Sequence, residues 1–218
     1  MLHIWILLFV FIRSWFYLKK CIKTPKYILN NEINIYQTYV VSLIHCFLSI
    51  MLNFFIYPQG NFENDNDLID NYALVISLSY FIYDIYQSTI NKSYIHVLHH
   101  LIVITPLFFS LYYNKFSNSL TIAIFWGEIS NPLYIISYML RKNKSKYANI
   151  VTKLNWLSYI LLRIIISPYI IFNTYIHLNY PIRNLYLYSY IFLYSGSIYW
   201  AYSNIYVNYI KHHRYHYL

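Results

Sequence analysis

Residues 94–106 read YIHVLHHLIVITP, and the apolar run they open continues to residue 113. A helix of about 20 such residues spans the roughly 30 Å hydrocarbon core of a bilayer. Histidine is costly there, yet His96, His99 and His100 stand at the mouth of the run. The stretch therefore reads as a membrane-spanning helix, and its histidines as groups with a task.

The same reading extends along the chain. Apolar runs occupy 2–18, 36–57, 72–90, 95–113, 119–140, 154–178 and 185–210. Charged residues make up 11% of the sequence, against about 25% in soluble domains. The expected fold is all-α: a multi-pass transmembrane bundle of six to seven helices enclosing a cytosol-facing polar cavity. Six is the lower count because the first run is the shortest and contains Arg13. That run lacks a basic leader and a small-residue cleavage site, so it reads as a retained anchor.

Charge placement sets the orientation. Lys19, Lys20, Lys23 and Lys26 lie in the first connection, Lys92 in the third, and Arg141, Lys142, Lys144, Lys146 and Lys153 in the fifth. Lys211 and Arg214 lie in the tail. In a seven-helix weave all of these share one side. The other side holds Lys115, Arg183 and the acidic residues Glu63, Asp65, Asp67 and Asp70. The positive-inside rule makes the basic side cytosolic, with a lumenal N-terminus and a cytosolic C-terminus. The net charge of +9 thus reads as topology and contact with anionic lipid. No compact basic domain exists to hold nucleic acid, which is not an expected partner. Cys21 and Cys46 imply no disulfide framework. Cys21, in KKCIK, reads as a juxtamembrane thiol, with acylation as the alternative.

Three successive runs contain Pro106, Pro132 and Pro168. Proline removes a backbone donor and kinks a helix. In lipid, the freed carbonyls need protein or a water-lined cavity.

Asp84 in LSYFIYDIYQS and Glu128 in IFWGEISNPLY are the two acids inside spans, and Arg163 in YILLRIIISP is the well-embedded cation. Each acid costs at least about 2.5–3.5 kcal/mol at a membrane centre. At about 1.5 Å per residue, His99 and His100 lie roughly 6–8 Å from the cytosolic face, Asp84 roughly 9 Å, Arg163 roughly 13 Å and Glu128 roughly 18 Å. One polar pocket in the cytosolic half accommodates all of them. The alternative is a purely structural pairing of Arg163 with an acid.

His96, His99 and His100 follow i, i+3, i+4 spacing, which puts His96 on one face with the pair. Neutral imidazole suits proton transfer, nucleophilic attack or metal ligation. H-x-x-H-H is also the shape of one histidine box of membrane di-iron enzymes. The companion boxes are missing, because His3, His45 and His177 are isolated and HHRYH (212–216) reads as a solvated basic end. No metal or cofactor is therefore expected, and His96 reads as an interface residue.

The ordered set is Tyr83-Asp84, His99-His100, Gly127-Glu128-x-Ser130-x-Pro132, Arg163 with Pro168, then Trp200 and Lys211. It resembles the TRAM/LAG1/CLN8 (TLC) domain family, over about 72–211 and more weakly from 36. The resemblance divides the chain into an anchor helix and basic loop (1–35), a TLC domain (36–211) and a basic tail (212–218). It implies an endoplasmic-reticulum or other endomembrane location and a lipid-accessible cavity, with membrane lipids as partners.

Ceramide synthases of the family use the histidine pair in acyl transfer and carry a downstream His-Asp-x-x-Asp run. Here the matching helix has Glu128 and neither that His-Asp nor a second Asp. The chain is thus more similar to the TLC-domain-containing branch linked to membrane-lipid composition. The resulting expectation is a lipid-homeostasis protein. The alternative is an acyl-CoA-dependent N-acyltransferase with His99 and His100 in catalysis and Asp84 and Glu128 as orienting or proton-transfer groups. Arg163, Ser130, Tyr83 and Trp200 are the expected lipid-binding residues. A transporter or receptor is less favoured, because no inverted repeat is present.

Overall fold

The computed structural model describes residues 2–56, 66–176 and 182–214, without the side chains of 2, 55–56, 118, 170, 173–174, 182 and 204–214. Glu63, Asp65, His177 and His216, and the side chains of Lys211, His212, His213 and Arg214, lie outside the described residues.

No strand occurs among the described residues, and the helices form seven rods. They are α1 (Leu2–Cys21); a 3-10 turn (Asn30–Glu32) leading into α2 (Ile33–Ile56); α3 (Leu68–Ile90); and α4 (Tyr94–Tyr113). The fifth rod is α5 (Ser117–Glu128) followed by α6 (Asn131–Lys142). The sixth is α7 (Ala148–Tyr159), a π-helical stretch (Ile160–Ile166) and α8 (Ser167–Ile176), and the seventh is α9 (Ile182–Arg214). Among the described residues, four stretches are long and apolar enough to cross a membrane: Asn30–Phe54, Leu68–Ile90, Tyr94–Tyr113 and Ala148–Tyr169. This is the helical membrane bundle expected from the apolar runs.

Hydrogen bonds at the two ends fix the weave. At one end Asn34 Nδ2 donates to Asn91 Oδ1 at 2.8 Å, Lys19 reaches Asn34 and Gln87, and Lys142 pairs with Glu32. The first, third and fifth connections therefore share that end. At the other end Asn66 N donates to the Asn114 carbonyl at 2.9 Å, which joins the second and fourth connections.

The middle of the bundle is α3, which buries Leu74, Val75, Leu78 and Tyr83 almost completely. Its start is specified by a capping box, in which Asp67 and Asp70 satisfy each other's backbone donors. Asp70 also accepts from Ser117 Oγ at 2.6 Å, tying α5 to that turn. The first helix, α1, packs along α3. Trp15 Nε1 donates to Ser79 Oγ at 2.9 Å inside the core, and Phe16 meets Tyr83 edge-on at 5.0 Å. After α4, Asn114 and Phe116 both adopt the left-handed conformation. For a residue as large as Phe116 this costs about 1–2 kcal/mol, offset by its packing against the core.

The prolines behave differently from one another. Pro106 lies within a continuous α4. Pro132 sits in the first turn of α6, where a missing N–H is harmless, so the 119–140 run is broken at Ile129–Ser130 and not simply kinked. Pro168 opens α8 after the π-helical stretch. It cannot donate to the carbonyl four residues back. That carbonyl, of Ile164, accepts from the Tyr194 hydroxyl of α9 at 3.3 Å.

Candidate functional site

The sequence-expected residues, Tyr83 apart, fall into two clusters and an aromatic group. The first cluster joins α3 and α4. His100 Nε2 lies 2.6 Å from Asp84 Oδ2, and the two side chains are 9% and 13% exposed. The approach is oblique, so it is an ion pair when His100 is protonated and not an in-line hydrogen bond. A carboxylate held this far from water requires such a partner. His99 stands beside it, its ring edge-on to His100 with centroids 5.2 Å apart.

His96, on the same helix, faces elsewhere. Its Nδ1 contacts Ser93 Oγ, and its ring meets Trp200 edge-on at 5.6 Å. Trp200 also touches Tyr134 at 5.5 Å and Tyr159 at 6.4 Å, so one aromatic group joins α4, α6, α7 and α9. Tyr83 is fully buried in the seam with α1.

The second cluster is built on the break between α5 and α6. Arg163 projects from the π-helical stretch and donates from Nε to Ser130 Oγ at 2.9 Å. Its Nη2 donates to Asn131 Oδ1 at 3.0 Å and to the Gly127 carbonyl. The guanidinium thus satisfies backbone exposed by the break, which explains why a planar fork stands there. Its carbon lies 5.5 Å from the Tyr159 ring centre.

Glu128 does not join His99 and His100. Its Oε2 accepts from Cys46 Sγ at 2.9 Å and from Asn131 Nδ2 at 3.0 Å, with His45 Nδ1 at 3.9 Å. His45 is fully buried, stacked on Tyr80 at 3.8 Å, and its Nε2 lies 3.0 Å from Ser49 Oγ. Phe81 packs against both centres, 5.3 Å from the His100 ring and 5.5 Å from the His45 ring.

His45 and Cys46 are the residues that sequence reasoning missed. Counting embedded charges finds Asp84, Glu128 and Arg163 but passes over neutral imidazoles and thiols. The adjacent pair His45-Cys46, with Ser49 one turn on from His45, was the available signal.

A family model described as the TLC domain matches residues 35–206. No curated protein matches the chain.

Proposed function

The chain belongs to the TLC domain family, and from that premise we propose that it holds a membrane lipid at the Asp84–His100 pair and acts in lipid homeostasis. The observation that carries this reading is the 2.6 Å approach of the carboxylate and imidazole inside a helical membrane bundle. A polar pair placed in such a bundle is a functional site by default. A lipid supplies both chemistries it needs, a polar group for the pair and a chain for the apolar surroundings. On this reading the basic end faces the cytosol of an endoplasmic-reticulum or related membrane. Glu128, standing where ceramide synthases of the family carry His-Asp, favours the TLC-domain-containing branch.

Lipids extracted from protein purified in mild detergent test the reading. Wild type is expected to retain a defined lipid that Asp84→Asn and His100→Ala lose. Equal retention by all three, with an unchanged lipidome in cells lacking the protein, would sink it.

The same contact favours a second reading, acyl transfer from acyl-CoA to an amine. A carboxylate-oriented imidazole is the arrangement of a general base or nucleophile. Labelled acyl-CoA is then expected to yield product or acyl-enzyme in wild type and neither in the His99→Ala/His100→Ala double variant. No label transfer in wild type rejects this reading and leaves lipid binding standing.

A further inference from the structure

We propose that His45, Cys46 and Glu128 form a zinc site between α2 and α5, separate from the Asp84–His100 pair and going beyond the lipid-binding reading. All three side chains are buried, and one ligand atom from each lies within 4.8 Å of the others. Thiolate, imidazole and carboxylate together suit Zn²⁺ better than the oxygen-seeking Mg²⁺ or Ca²⁺.

The spacings bracket those of a tetrahedral site. Zinc bonds of about 2.3 Å to sulfur and about 2.0 Å to nitrogen and oxygen place S and O about 3.5 Å apart, and N and O about 3.3 Å apart. Cys46 Sγ to Glu128 Oε2 is 2.9 Å, and His45 Nδ1 to Glu128 Oε2 is 3.9 Å. Small side-chain rotations reach both values. His45 and Cys46 are consecutive, so their side chains leave α2 about 100° apart, and Glu128 of α5 meets both.

The environment independently points to a cation. His45 Nδ1 is buried without a hydrogen-bond partner. At 3.9 Å from Glu128 it is too far for a hydrogen bond, and closer than the roughly 4.5 Å that two ordinary bonds to one bridging water require. The other ring nitrogen is held by Ser49 Oγ at 3.0 Å. A second partner of this kind fixes the tautomer of a metal-bound histidine and leaves the first nitrogen as the ligand. Among the described residues, no lysine or arginine forms an ion pair with Glu128; the Arg163 guanidinium hydrogen-bonds Gly127, Ser130 and Asn131 instead.

Binding is balanced in charge and protons. The Cys46 thiol releases its proton to solvent, and the thiolate and carboxylate together neutralise Zn²⁺. Three protein ligands leave a fourth position for water or a lipid oxygen.

The test is zinc analysis of full-length, tag-free protein purified from zinc-supplemented cells, with cobalt(II) reconstitution in parallel. Wild type is expected to carry about one zinc per chain and to show a thiolate-to-cobalt charge-transfer band. Cys46→Ser and Glu128→Gln are expected to lose about 90% or more of the zinc, and Cys46→Ser the band, whereas His96→Ala keeps both. Wild type with below about 0.1 zinc per chain and no cobalt band overturns the proposal even if the variants fail to fold. Zinc retained in Cys46→Ser and Glu128→Gln at the wild-type level overturns it as well.

Discussion

The Asp84 carboxylate and the His100 imidazole, carried by successive helices, close to 2.6 Å. Asp84→Asn keeps the shape and removes the charge, so it separates the pair's electrostatics from its packing. We expect a loss of about 3 kcal/mol of stability, read as a lower midpoint of thermal unfolding in detergent, the low end of what removing one partner of a buried ion pair costs. A midpoint equal to wild type would mean that the pair is not made.

Arg163→Lys should behave as a disruptive change. Lysine carries charge to the site but cannot serve Ser130 Oγ, Asn131 Oδ1 and the Gly127 carbonyl from one plane. The expected cost is about 1.5–3 kcal/mol, the value of a lost charged hydrogen bond. Chemical denaturation of the two proteins side by side measures it.

Gly127 stands in the family-like motif, yet a Cβ there meets nothing within 4 Å. Gly127→Ala should therefore fold normally and gain up to about 1 kcal/mol from the helical preference of alanine. A marked loss of folded protein would show that the position needs glycine for a reason other than space.

Trp15→Phe removes the donor to Ser79 and keeps much of the ring. A loss of about 0.5–1.5 kcal/mol is expected, whereas Trp15→Ala, which empties a core position, should lose about 3–5 kcal/mol. If both variants unfold with wild type, α1 does not contribute to the core.

The rods were legible because span length and apolar composition are local properties. Each of the seven runs falls on one rod, with ends differing by a few residues. The end-sharing of the odd connections followed from the seven-helix weave, and the Asn34–Asn91 and Lys142–Glu32 contacts bear it out. The meeting of Asp84 with His100 was foreshadowed by similar depths. Glu128 illustrates the limit, since depth along the membrane normal says nothing about which side of α3 a residue occupies. Its partners lie on α2 and α6, and Phe81 touches both centres. The π-helical stretch was also not legible, since nothing in its run of apolar residues marks it; it carries the Arg163 and Ile164 contacts made across helices.

The Trp15–Ser79 hydrogen bond has a consequence for biogenesis. The first helix leaves the ribosome long before its partner on α3 exists, so its indole N–H enters the membrane unmatched. The core containing it closes only after two further helices have been inserted. The Trp15–Ser79 bond can therefore form only once α1 and α3 are both in the membrane, and a chain stalled before the third helix lacks the Ser79 acceptor.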